Sequence, residues 1–299
     1  MKSKDNNDLI SVENAQEIIF SKFKKLQSTQ KKLIDSNGFI LDEEINALFD
    51  LPNKNNSAMD GFAVRHDDLA INKSLRVVGR VGAESVTDYI IKKDEAMRIM
   101  TGSGIPKGAD SVVPFENTNN NPHKGNDFPD TVLINEIVNK GDNIRLSGQD
   151  YKFGETVVEN GMLIDPAIIG AIASFGINEV NVIRKPIVSL ISTGNELVMP
   201  GEKLNEGQIY DSNSYAISAA INSSGAECKM HKILSDKKED VDKLYENCSQ
   251  SDLIVTIGGV SKGDFDLIRD AISSKGNIDF WGINMKPGKP LAFGKVVLN

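Results

Sequence analysis

The stretch Ile187–Leu197, IVSLISTGNEL, decides how the fold is read. It is an apolar run of strand length that passes straight into a polar, glycine-containing loop. Working outward toward the C-terminus, the same unit recurs. A helix over Ser212–Ser223, capped by Asp211 and ended at Gly225, leads to a strand over Glu227–Leu234. A helix over Lys238–Asn247, a strand over Asp252–Ile257, a helix over Asp266–Ser273 and a strand over Ile278–Ile283 follow. Strands alternating with helices imply a mainly parallel sheet with right-handed crossovers. Such sheets bind ligands at the carboxyl ends of their strands. Three polar loops leave strand ends here: Ser192–Leu197 (STGNEL), Gly258–Asp266 (GGVSKGDFD) and Lys286–Pro290 (KPGKP). All three are expected on one edge of the sheet.

The chemistry of these loops suits an anion. Gly194, Gly258 and Gly259 allow close backbone approach, and N–H groups at such turns bind anions. Ser192, Thr193 and Ser261 offer hydroxyls. Lys286 and Lys289 offer positive charge, and residues 286–295 hold three lysines and no acid within a chain of net charge -8. A local cationic spot in an acidic protein focuses anionic substrates. Glu196, Asp264 and Asp266 lie on or beside the loops. Carboxylates beside a phosphate cradle hold Mg²⁺, although Asp266 equally suits a helix cap. Asp211 reads more as a cap than as a ligand, and Asn213, one turn in, stays open.

Toward the N-terminus the character changes. Residues 11–35 read as one helix, capped by Ser11, with Ile18, Ile19, Phe23 and Leu26 as its apolar stripe. A second short helix is expected over Leu41–Leu48. From Pro52 to about Leu146, short β-like runs appear at Ser74–Val81, Ala96–Met100, Ser111–Phe115 and Thr131–Ile137. The stretch 117–130 reads as an exposed loop. Pro166–Phe175 is a compact helix ended by Gly176, and Asn178–Ile183 is a short strand. The fold class is α/β plus β, in several domains. Residues 51–146 read as a small β-rich domain inserted between helical pieces, and 184–299 as the α/β domain.

Composition excludes several classes. The 299 residues need no disulfide or metal staple to build a core. No run approaches the ~18 apolar residues of a membrane helix, and the opening MKSKDNNDLI has no signal-peptide h-region. The net charge of -8 argues against bulk nucleic-acid binding. Cys228 and Cys248, 20 residues apart, have no metal-ligand spacing and read as reduced thiols of a cytoplasmic protein.

Three segments of the first half stand out. NKNNSAMDGFAVR (53–65) contains Asp60-Gly61, which alone signals a hairpin turn. RIMTGSGIPKG (98–108) has the wrong glycine spacing for a dinucleotide fingerprint and leads into a strand, so that reading is rejected. No GxxxxGK[ST] occurs. GDNIRLSGQDY (141–151) places Arg145 and Asp150 either side of a glycine, as a surface ion pair or as part of a site.

SAMDGFAVR, RIMTGSGIPKGADSVVPFE, GDNIRLSGQDY, STGNEL, IYDSNSY, IGGVSKGDFD and MKPGKPLAFGK occur in this order. That order closely resembles the MoeA family of molybdopterin molybdenumtransferases, which includes the E domain of gephyrin. The resemblance spans Ser57 to Lys295. It implies an elongated linking domain, a β-rich domain and a MogA-like three-layer α/β domain, with 1–50 and 147–183 serving dimerisation. It also implies an activity: molybdenum from molybdate is inserted into adenylylated molybdopterin, with Mg²⁺-dependent release of AMP.

By the same resemblance, Asp60, Thr101, Asp150, Glu196 and Asp266 are catalytic, with Glu196 and Asp266 at the metal. Arg145, Thr193, Gly194, Asn213, Asp236, Gly258, Gly259 and Ser261 bind the substrate, Asp236 on a looser match. Lys286 and Lys289 suit molybdate. Asn195 stands where the family often has Asp, and Asp264 where it commonly has Glu. A homodimer with sites shared between subunits is implied, and the adenylyltransferase of the preceding step is a further candidate partner. The family continues past GKPLAFGK into a G-x-P-G-N-P turn, a helix and a C-terminal β-domain, whereas this chain ends at Asn299. Two alternatives follow: a pterin-binding scaffold without turnover, and a MogA-like adenylyltransferase, which the long N-terminal half disfavours.

Overall fold

The computed structural model describes residues 9–82, 87–119, 129–233, 248–258 and 276–297. The chain divides into two compact units. One comprises Met1–Asp42, Leu163–Asp165 and Glu179–Asn299; the other comprises Glu43–Met162 and Pro166–Asn178.

The first helix is shorter than the sequence suggests. It runs over Val12–Lys22, with the Ser11 hydroxyl accepting the Asn14 N–H at 3.1 Å. Phe23 leaves it in extended conformation, and Ser28–Lys32 is a strand paired antiparallel with Glu179–Ile183. The polar STQKK segment has no helical stripe to bury, so pairing with a distant strand overrides its local propensity. The helix expected over 41–48 is likewise two strand fragments. Ile40–Leu41 pairs with Glu179–Ile183, and Ile45–Asn46 pairs with Thr156–Val158. The stripe is read correctly at its start: Ile18 and Ile19 pack with Ala15 against Phe280, Ile283 and Phe293.

The second unit is built on a five-stranded sheet. Its strands are β1 (Gly61–Val64), β2 (Ser74–Val81), β3 (Glu95–Ile99), β4 (Ser111–Pro114) and β5 (Thr131–Leu133). The order is β4-β1-β3-β2-β5, antiparallel except for the β2–β3 pair. β1 is buried throughout because it lies between β3 and β4 and has both faces covered. Phe62 and Val64 join a cluster with Leu75, Val113, Phe115 and Ile134, while Ala63 packs with Ile99 and Val112 on the other side. This is the period-2 alternation of a central strand. Phe62 and Phe115 meet edge-on at 5.4 Å.

In the first unit, β6 (Ile187–Ser192) lies between β7 (Glu227–Met230) and β8 (Leu253–Ile257), parallel to both. The helix Ser212–Ser223 connects β6 to β7 and is capped by Asp211, whose Oδ1 accepts the Ser214 N–H at 3.0 Å. The β-α-β reading of the opening stretch is therefore met. β9 (Gly276–Trp281) and β10 (Ala292–Val296) pair with each other, antiparallel. The helices expected over 238–247 and 266–273 lie outside the described residues.

Candidate functional site

In the second unit, three motifs that are far apart in sequence are joined by main chain. Asn56–Ser57 pairs antiparallel with Ile144–Arg145, and Asn56 also bridges Gly104. The Ser57 N–H donates to the Ser103 carbonyl at 2.9 Å, the Gly102 N–H to the Ser57 carbonyl at 2.8 Å, and the Ala58 N–H to the Asn143 carbonyl at 2.9 Å. The strand fragment before SAMDG thus holds the TGSG loop on one side and the NIR segment on the other.

Two carboxylates of these motifs are held in place. Asp60 Oδ1 accepts the Thr101 N–H at 2.7 Å and the Thr101 hydroxyl at 2.8 Å. Arg145 donates to Asp150 Oδ2, and the Asp150 N–H donates to the Leu51 carbonyl at 2.9 Å. Asp60-Gly61 is not a hairpin turn. Gly61 opens β1, and its missing side chain is what lets β4 lie so close. Arg145 and Asp150, with Leu51, Pro52 and Asn56, line a cleft of about 540 Å³.

In the first unit, the parallel strands β6 and β8 end on one edge, and of the loop after β8 only Gly258 is among the described residues. The Thr193 N–H donates to the Ile257 carbonyl at 3.0 Å. Gly194 and Gly258 lie beside this contact. The Ser192 hydroxyl meets the Ser214 hydroxyl, linking the strand end to the helix start. Burial opposes ionisation of Asp211. The hydroxyl and amide of Ser214 and the hydroxyl of Ser192 outweigh it and hold the carboxyl below its ordinary value. Glu196 is exposed, and Asn213, the second residue of the helix, is exposed as well.

The third loop departs from expectation. Lys286 and Lys289 are exposed in the connection between β9 and β10. Among the described residues that pair has no hydrogen-bonded neighbour in the β7-β6-β8 sheet. The sequence shows a strand followed by a loop and cannot show that the partner strand is the next one in the chain. Asp236, Gly259, Ser261, Asp264 and Asp266 lie outside the described residues.

Glu196 bears on the Mg²⁺ expectation. Its carboxylate turns back over its own loop: a methyl group on Gly194 would lie 2.6 Å from Glu196 Oε1. The Glu196 carboxylate and the Thr193 hydroxyl on the same loop are hard oxygen donors of the kind Mg²⁺ takes. Among the described residues, no three or more His, Cys, Asp or Glu side chains group together.

Two features escaped sequence reading. Asn56 carries a side-chain oxygen that is shielded from solvent and has no hydrogen-bond partner. Its signal was an Asn in a strand, where Asn is depleted. Ser189, in the middle of an apolar strand, hydrogen-bonds His231 at 2.8 Å and Ser251 at 2.7 Å, with Cys248 Sγ 3.8 Å from the same ring nitrogen. Burial pushes the Cys248 thiol pKa up, so it is not an activated nucleophile.

A β-rich unit that unites three polar motifs, together with a unit built on a parallel β-α-β sheet, defines a protein of mixed α/β and β architecture. Residues 10–176 match the MoeA N-terminal region (domain I and II), and residues 189–299 match a probable molybdopterin binding domain. The chain belongs to the MoeA family. It is 37% identical over 255 residues to a molybdopterin molybdenumtransferase of Haemophilus influenzae, covering 85% of this chain and 62% of the relative. It is 36% identical over 286 residues to one from Staphylococcus epidermidis, covering 93% and 67%. The chain thus spans about two thirds of the length of these curated relatives. Among solved structures, it is similar to a molybdopterin biosynthesis MoeA protein from Pyrococcus horikoshii. Identity is 32% and the TM-score 0.76, covering 97% of this chain and 72% of that one.

Proposed function

We propose that the chain acts in molybdenum cofactor biosynthesis, inserting molybdenum from molybdate into adenylylated molybdopterin with Mg²⁺-dependent release of AMP. The observation that carries this reading is the main-chain joining of the 53–65, 98–108 and 141–151 motifs. It places two oriented carboxylates, Asp60 and Asp150, on adjoining segments. The N–H groups of the Thr193–Gly194 and Gly258–Gly259 turns, with Ser261, take phosphate oxygens. Asn213 and Asp236 contact the nucleotide. Arg145 supplies counter-charge, and Lys286 and Lys289 draw molybdate by charge. Thr101 fixes the rotamer of Asp60, so that its free oxygen faces the reacting group. Glu196 and Asp266 hold Mg²⁺, which neutralises phosphate charge when bound. The working molecule is a cytoplasmic homodimer with shared sites. We retain its division into 1–50 with 147–183, 51–146 and 184–299, and the MogA-like three-layer form of the last part.

The test supplies purified chain with adenylylated molybdopterin, Mg²⁺ and molybdate and follows AMP. Release that requires both metal and oxyanion is expected. Nucleotide binding without release would favour the scaffold instead, and adenylylation of molybdopterin from ATP would favour the adenylyltransferase. Glu196→Gln should raise the Mg²⁺ concentration for half-maximal release about tenfold.

A further inference from the structure

We propose that the cleft of the second unit binds the pterin ring of the substrate, with Asn56 as its recognition residue. The inference rests on the molybdopterin reading above, and the argument starts from a defect in the free chain. Asn56 Oδ1 is inaccessible to solvent and has no hydrogen-bond partner. Buried polar atoms are almost always paired, so an orphan at a cleft points to a missing donor. The Asn56 backbone is pinned by Arg145 on one side and Gly104 on the other. The backbone is held while the amide torsion has a broad, shallow well, and a half turn exchanges the places of Oδ1 and Nδ2. Turning it toward the cleft breaks no hydrogen bond of Oδ1 and gives it access to a ligand.

The rest of the cleft narrows the chemistry. Its volume of about 540 Å³ suits a small molecule. One part of the lining is apolar: Phe49, Leu51 and Pro52. Phe49 is 39% exposed, and its ring is backed by Phe175 at 5.3 Å, leaving a braced aromatic surface for a flat ring. The other part is polar: Asn53, Asn56, Arg145, Asp150 and Ser174, of which Asn56, Arg145 and Asp150 carry the argument. A carbonyl and a carboxylate together ask for neighbouring N–H donors. The aminopyrimidinone edge of a pterin carries an amino group and a ring N–H side by side. It also carries a carbonyl oxygen that Arg145 can serve. A phosphate would satisfy Arg145 but would leave Asn56 Oδ1 unpaired and face the Asp150 carboxylate. The donor-bearing heterocycle meets all three groups.

The experiment titrates the full chain with pterin-6-carboxylate, followed by its own fluorescence, and separately with AMP. Asn56→Leu should weaken pterin affinity about tenfold, as expected for loss of one buried hydrogen bond. AMP affinity should stay unchanged, and the melting temperature should not fall because an orphan acceptor is removed. The lumazine analogue, with oxygen in place of the amino group, should bind wild type more weakly than the pterin does. Equal pterin affinity in wild type and Asn56→Leu overturns the proposal, and AMP release intact in the same preparation leaves the molybdenumtransferase reading standing. A parallel loss of pterin affinity, AMP affinity and melting temperature also overturns it, marking Asn56 as structural. Binding of neither probe to wild type ends both readings. Should Asn56→Leu not fold, Phe49→Leu decides: lost pterin affinity with AMP affinity kept supports the cleft, and unchanged affinity overturns it.

Discussion

At Gly61 the chain tolerates no side chain. A methyl group would lie 2.1 Å from the Val113 carbonyl oxygen and 2.9 Å from its carbon. Both are main-chain atoms of the paired strand β4 and cannot step aside. Gly61→Ala should therefore cost about 3 kcal/mol, read as a lowered melting temperature in calorimetry. Thr101 carries a different load. Its N–H and its hydroxyl both hold Asp60 Oδ1, so Thr101→Val removes one of two bonds and keeps the shape. We expect about a tenfold fall in AMP release with little change in melting temperature. Wild-type turnover in Thr101→Val would show that the hydroxyl plays no part in positioning Asp60. The Asp60-Thr101 contact could not be derived from spacing, since 41 residues separate the partners. The resemblance marked both residues as functional, and only the structure shows their contact.

At the scale of elements, Asp252 clamps the starts of two parallel strands. Its carboxylate accepts Arg184 Nη1 at 2.7 Å and Nη2 at 2.6 Å, and also the Ile187 N–H at 2.8 Å. Its own N–H donates to the Ile187 carbonyl. The Arg184 hydrogen bonds and charge hold the carboxyl below its ordinary value, with the Ile187 amide adding to them. Asp252→Asn should destabilise the β6–β8 pairing by about 1–2 kcal/mol, because the Arg184 head is a third exposed and partly screened. Denaturant unfolding measures this; an unchanged midpoint would show the clamp to be idle. The sequence marked both strands but not the clamp, since Arg184 and Asp252 are 68 residues apart. The same limit explains the segments 28–32 and 41–48. Their propensities favour no strand, and their partners lie elsewhere in the chain.

For the whole molecule, the depressed carboxylates set an acid limit. Asp110, Asp211 and Asp252 all have folded values below the ordinary one. At Asp110, burial opposes the shift and is outweighed by the His66 amide and Lys140. A group depressed on folding contributes its full stability above its unfolded pKa, near 3.9 for Asp, and loses it as pH falls through the lower folded value. Circular dichroism should therefore change little from pH 7 to 5, with the main acid loss below about pH 4. Unfolding centred near pH 6 would point to histidine instead. The sharing of sites proposed above predicts the mass of a dimer in sedimentation; a monomer that still releases AMP would overturn that part of the proposal.

The sequence by itself determined the β-α-β unit around Ile187–Leu197, the Asp211 cap, four of the five strands of the β-rich sheet, the last of them read too long, and the family. These are local signals: apolar period, caps, glycines and ordered motifs. Only the tertiary structure decided which distant segments become strands, that β9 pairs with β10 and, among the described residues, not with the parallel sheet, and that Asn56 joins three motifs while its own oxygen stays unpaired. Those outcomes depend on backbone hydrogen bonds and burial between residues far apart in the chain. Neither can be read from one segment alone.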